Sequence, residues 1–168
     1  MRHTLSILVE NRFGELSRIV GLFSARGFNI ESLSVAESME PDVSRVTLVT
    51  TGNEHAIEQI ARQLDKQVRV LVVEQVTEVK HVERELMLIK LRADSGEQRH
   101  KALSLALLFG ARAVDLSADG LIIEATGEWE QVNALGEMLK PLGVVEIVRS
   151  GRVAMSKVSR ESSESGGQ

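Results

Sequence analysis

The chain of 168 residues contains no cysteine and no tyrosine. Without cysteine there can be no disulfide, no thiolate metal site and no cysteine nucleophile. Aromatic residues are scarce, with four phenylalanines and one tryptophan. Proline occurs twice, at Pro41 and Pro141. No apolar run approaches the roughly 20 residues that a membrane span requires. The opening Met1-Arg2-His3-Thr4 lacks the apolar stretch of a secretion signal. The four histidines, His3, His55, His81 and His100, show no metal-ligand spacing. A net charge of −4 offers no basic surplus for a polyanion. These absences argue against membrane and nucleic-acid partners and leave few means of catalysis. They lead us to expect a soluble, cytoplasmic protein.

What is present is ordinary globular material: 43% hydrophobic and 26% charged residues. The length suits one domain or two of about 80 residues each. Leu5, Ile7 and Val9 alternate, a strand pattern. Leu16, Ile19, Val20 and Phe23 then recur at helical spacing, and Arg26-Gly27 ends that helix, with Gly27 suited to a left-handed C-terminal position. Alternation returns over Ile30 to Ala36, followed by a turn at Met39-Glu40-Pro41-Asp42 and a strand from Arg45 to Thr51. Gly52-Asn53-Glu54 opens a second helix carrying Ile57, Ile60, Ala61 and Leu64, and the β-branched Val68 to Val73 reads as a fourth strand.

The order β-α-β-β-α-β is a ferredoxin-like unit. It leaves one sheet face bare, and we expect that face or a sheet edge to pair with a second copy. A polar stretch, EQVTEVKHVERE, runs from Glu74 to Glu85, and the pattern then repeats. Leu86 to Leu91 and Ala113 to Leu116 read as strands, as do Leu121 to Thr126 and Val144 to Val148. Helices are expected over Glu97 to Phe109, with Leu103, Ala106 and Leu107 facing inward, and over Glu128 to Leu139. The fold class is therefore α+β, two tandem ferredoxin-like modules. We place the first module at 1–76, a connector at 77–85, the second module at 86–156 and a disordered tail at 157–168.

This topology serves many functions, so the site must decide. An RNA-binding sheet would need aromatics on its central strands, and none stands there. A phosphate-handling loop at Asn11, Arg12 and Gly14 is flanked by Glu10 and Glu15, which repel phosphate. The same strand-to-helix turn suits a small carboxylate better. Amides at a helix start are unpaired, and the dipole favours negative charge. Gly14 lets a ligand reach the backbone, and Asn11 can both donate and accept. A plain turn glycine and a local cap would have the same appearance.

The residues of this turn carry a family resemblance. Leu5-Ser6-Ile7-Leu8-Val9-Glu10-Asn11, Gly14, Leu16-Ser17-Arg18, Gly21-Leu22-Phe23-Ser24 and the run Arg26-Gly27-Phe28-Asn29-Ile30-Glu31-Ser32-Leu33 resemble the ACT domain of acetohydroxyacid synthase (acetolactate synthase) regulatory small subunits. Ser44-Arg45-Val46-Thr47 resembles the next family segment, and Val82 to Lys90 resembles the start of the family's C-terminal domain. The resemblance thins after Leu91 and returns in part at Val145 to Gly151.

The resemblance implies a non-catalytic subunit that binds a catalytic large subunit, activates it and makes it sensitive to valine or another branched-chain amino acid. It implies no cofactor in this chain; thiamine diphosphate, Mg and FAD belong to the catalytic partner. It also implies a homodimer through the ACT domains. The effector would lie between Asn11, Gly14, Glu15 and Leu16 of one chain and Asn29 and Ile30 of the other. Where the family usually carries a small residue after Gly14, this chain has Glu15. Its carboxylate either crowds the amides meant for the ligand or points to solvent from the first helical turn. Glu15 and an altered second module favour another reading, a stand-alone ACT-domain sensor that regulates a different enzyme.

Overall fold

The structure is a computed structural model that describes residues 1–93 and 95–158. The first module comprises β1 (Arg2–Glu10), α1 (Glu15–Ser24), β2 (Ile30–Glu37), β3 (Val43–Thr51), α2 (Glu54–Asp65) and β4 (Val70–Gln75). A short 3-10 turn at Val76–Glu78 leads into β5 (His81–Leu91), α3 (Gly96–Leu108), β6 (Arg112–Leu116), β7 (Leu121–Gly127), α4 (Trp129–Leu139) and β8 (Val144–Ser156). The two sheets are antiparallel, in the orders β2-β3-β1-β4 and β6-β7-β5-β8. The architecture is thus two tandem ferredoxin-like modules, as the periodicity predicts.

Local chemistry explains the element ends. Gly27 adopts φ +72°, and Gly27 and Phe28 donate their N–H groups to the carbonyls of Ser24 and Phe23, closing α1 as a Schellman motif. Asn53 and Ser95 cap α2 and α3 by accepting from the N–H groups of His55 and Gln98. Each module keeps its own core. Leu5, Ile7, Ile19, Phe23, Leu48 and Ile60 centre the first, and Met87, Ile89, Ile123, Val132 and Leu135 the second.

Three expectations need correction. On α3 the buried residues are Ala102 and Ala106, whereas Leu107 faces out, like Leu108. The small alanines let the helix lie close to the sheet, so the leucines flank the contact rather than fill it. The polar connector is largely strand, because β5 begins at His81 and not at Leu86. Likewise β8 runs 13 residues to Ser156, well beyond Val148. The two extensions pair with each other, Val82 opposite Met155 and Arg84 opposite Val153. Lys157, expected in the disordered tail, still donates its N–H to the Lys80 carbonyl at 2.7 Å. The rest of that tail from residue 159 lies outside the described residues.

The β5–β8 extension crosses the face of the first sheet that its helices leave bare. There Thr4, Ser6, Thr47 and Val49 are buried. The expected bare face is therefore covered in part by the chain itself, and the edges of this sheet are β2 and β4. The crossing is tight at Gly151, whose φ is +77°. A Cβ there would stand 2.7 Å from the Ser32 Oγ, and the next amide, Arg152 N–H, donates to that same oxygen at 2.9 Å. We expect Gly151→Ala to destabilise the chain by about 1–2 kcal/mol from the left-handed backbone alone. Thermal melting followed by circular dichroism checks this, and an unchanged midpoint would refute the close approach.

Candidate functional site

The loop between β1 and α1 is held from three sides. Glu10 N–H donates to the Arg69 carbonyl at 2.9 Å, Asn11 N–H to the Asp42 carbonyl at 2.6 Å and Arg12 N–H to the Glu10 carbonyl at 2.8 Å. Gly14 occupies the N-cap position of α1 with φ +86° and ψ −9°, a left-handed conformation that suits glycine. No side chain caps this helix. Asn11 therefore does not cap α1; its Nδ2 instead donates to Glu37 Oε1 at 3.4 Å, at the end of β2. Phe13 is fully exposed, and Leu16 partly so.

Neither placement expected for Glu15 is correct. Its carboxylate is 3% exposed and takes ion pairs at 3.0 Å from both Arg18 and Arg69. The side chain forms part of the buried face of α1 with Ile19 and Phe23. Arg69 also stands 3.9 Å from Glu10. One guanidinium thus ties together both flanks of the loop and neutralises the charge that the sequence places beside the helix start.

Asn29 and Ile30 lie elsewhere. The Asn29 carbonyl accepts from Thr50 Oγ1 at 2.7 Å, and its side chain is exposed. Ile30 is half-buried against the first core and pairs with Thr50. Thr50 in turn pairs with His3, whereas Glu10, next to Asn11, pairs with Val43. Seven steps along β1, from His3 to Glu10, separate these two ends, roughly 23 Å at about 3.3 Å per residue. Within one chain Asn11, Gly14, Glu15 and Leu16 come together, and Asn29 and Ile30 stand at the opposite end of the sheet.

Sequence reasoning missed Arg69, Glu37 and Asp42 as parts of this loop. The Glu15–Arg18 pair has a visible signal, its i,i+3 spacing on a helix. Arg69 has none, because the contact is 54 residues away along the chain.

Two ferredoxin-like units in tandem, the first with a glycine-opened strand-to-helix loop, define a protein of the ACT-domain class. Comparison with known proteins resolves the class further. The family model for the AHAS small subunit-like ACT domain matches residues 5–72, and that for the small subunit of acetolactate synthase matches residues 84–158. A probable acetolactate synthase small subunit from Archaeoglobus fulgidus is 42% identical over 161 residues, covering 96% of this chain and all of that protein. The acetolactate synthase small subunit of Mycolicibacterium smegmatis is 44% identical over 158 residues, covering 94% of this chain and 92% of its own. The crystal structure of the acetolactate synthase small subunit from Thermotoga maritima superposes with a TM-score of 0.85 at 38% identity, covering 95% of this chain and 99% of that one. The chain belongs to the family of acetolactate synthase small subunits.

The Glu15 clamp generates a prediction. Arg18 is mostly exposed, so Arg18→Met should cost less than about 1 kcal/mol. Arg69→Met leaves a buried carboxylate with that exposed partner alone and should cost about 2–3 kcal/mol. Urea unfolding of both variants measures the difference, and a reversed order would remove Arg69 from its role.

Proposed function

We propose that this chain is the regulatory, non-catalytic subunit of an acetolactate synthase. It binds the catalytic large subunit, raises its turnover and makes it sensitive to valine or a related branched-chain amino acid. Thiamine diphosphate, Mg and FAD belong to the catalytic subunit, and the assembly works in the cytoplasm. The observation that carries the effector reading is the separation of Asn11–Leu16 from Asn29–Ile30 by the length of one sheet. No single chain can close a ligand of valine's size between them.

A second chain can. β2 is an edge strand. Antiparallel pairing of β2 with its symmetry mate sets the Ile30 end of one against the Glu37 end of the other. Asn11 is bonded to Glu37, so the two half-sites meet twice in such a dimer. The Glu15 amide already donates to the Arg12 carbonyl, so the effector's carboxylate takes the amides of Leu16 and Ser17 in the first turn of α1, Asn11 and Asn29 bind its polar ends, and Ile30 meets the isopropyl group. Because Glu15 is satisfied by two arginines, its charge no longer argues for a different ligand. The effector acts on the large subunit by binding one arrangement of the dimer more tightly than another.

Reconstitution with the large subunit should raise acetolactate formation, and valine should then lower it. No change in turnover on adding the chain would end the subunit reading. Calorimetry tests the site. Asn11→Ala and Asn29→Ala should each weaken valine binding about tenfold or more, the loss of one hydrogen bond to a charged group. A mixed dimer of one Asn11→Ala chain and one Asn29→Ala chain should recover one wild-type site, seen as half the normal stoichiometry at normal affinity. A site built within one chain would recover none.

A further inference from the structure

The junction between the modules is polar. Trp129, the first residue of α4, is half-buried with two guanidinium groups over its ring, Arg2 Cζ 4.6 Å and Arg152 Cζ 5.1 Å from the ring centroid. Both arginines return to β2. Arg2 Nε pairs with Glu31 Oε2 at 2.7 Å, and the Arg152 amide donates to Ser32 Oγ. Arg152 is 6% exposed and reaches Glu83 at 3.2 Å. Glu83 also accepts from Thr4 Oγ1 at 3.5 Å. A cleft of about 330 Å³ opens beside this cluster, lined in part by Glu31, Trp129 and Arg152.

Glu31 has a particular backbone setting. Ile30 pairs with Thr50 and Ser32 with Val49, so two steps along β2 match one along β3. Glu31 is the extra residue of a bulge, a device that re-aims a side chain. It directly follows Asn29 and Ile30, the segment assigned above to the effector. We propose that the Arg2–Trp129–Arg152 stack couples this segment to the C-terminal module, with Trp129 as its positioning residue. The proposal rests on the effector reading given above. The modules keep separate apolar cores and meet where the β5–β8 extension crosses the first sheet, and the stack stands beside that crossing. A bulge that shifts when a ligand closes on Ile30 moves Glu31, and Glu31 holds Arg2 against the indole. The Arg2–Glu31 pair is partly exposed and can exchange partners at small cost, whereas Arg152 is buried and fixed by Glu83, so a shift of Glu31 would act on the Arg2 side of the indole.

The test uses the isolated small subunit for binding and the reconstituted holoenzyme for inhibition. Trp129→Ala should leave the valine dissociation constant of the small subunit within threefold of wild type. Activation of the large subunit should stay within twofold. Valine inhibition should weaken, with a midpoint raised at least tenfold or a maximum below half, and Trp129→Phe should restore it. Should Trp129→Ala not fold, Arg2→Gln carries the same expectation. Normal inhibition in these variants overturns the coupling role, as does a binding constant that rises in step with the inhibition midpoint. If wild-type protein gives no heat with valine, leucine or isoleucine, the effector reading itself fails, and the coupling role fails with it.

Discussion

The paired length of β5 and β8 is the constraint from which the molecule's arrangement follows. A ferredoxin-like unit can end its first and last strands at the sheet's edge. Here both run on together, from His81 opposite Ser156 to Leu91 opposite Val144. The surplus has to lie somewhere, and it lies across the first sheet. That contact buries Thr4, Ser6, Thr47 and Val49, which a lone module would leave wet. It also brings the backbone at Gly151 so close to Ser32 that a Cβ there would displace the serine hydroxyl. With much of that face covered, β2 remains as an open edge in the first sheet, and edges are where further strands add.

The order of elements was legible in the sequence because it rests on local periodicity. Leu5, Ile7 and Val9 alternate, Leu16 to Phe23 recur at helical spacing, and Gly27 carries its own stop signal. The strand extensions were not legible, because Glu83, Arg84 and Glu85 look like a solvated linker. Their charges are met instead by Arg152, Glu128 and Arg149, and a paired charge can sit on a strand even where it is buried, as Glu85 is. The inward face of α3 was misread for a related reason. A stripe of leucines outweighs two alanines in any hydrophobicity count, yet the alanines permit the closer approach.

The candidate site divides in the same way. Gly14 and the helix start were legible, since a left-handed cap needs glycine. The fate of Glu15 was not, because it depends on a residue 54 positions away. Seen locally, a carboxylate beside a helix N-terminus competes with an anionic ligand. In the fold Arg69 turns that carboxylate into the helix's buried face and joins it to Glu10. The residue that most threatened an effector site thereby becomes part of the frame that holds its loop.

Charge balance around the loop bears on what it can hold. Glu10, Glu15 and Glu37 stand beside Arg12, Arg18 and Arg69, so the formal charges of these six side chains cancel. A phosphate would gain nothing from such a field and would still meet the carboxylates of Glu10 and Glu37. An amino acid is itself neutral overall and needs only separated partners for its two ends. The uncapped amides behind Gly14 provide partial positive charge on one side, and the Asn11–Glu37 pair provides acceptors on the other. Both sets lie at the Glu10–Val43 end of the sheet, while the half-buried Ile30 lies at the opposite end. On the proposed reading the β1–α1 loop of one chain and the Asn29–Ile30 segment of its mate share the ligand, so recognition of a branched amino acid would be inseparable from pairing of the subunits.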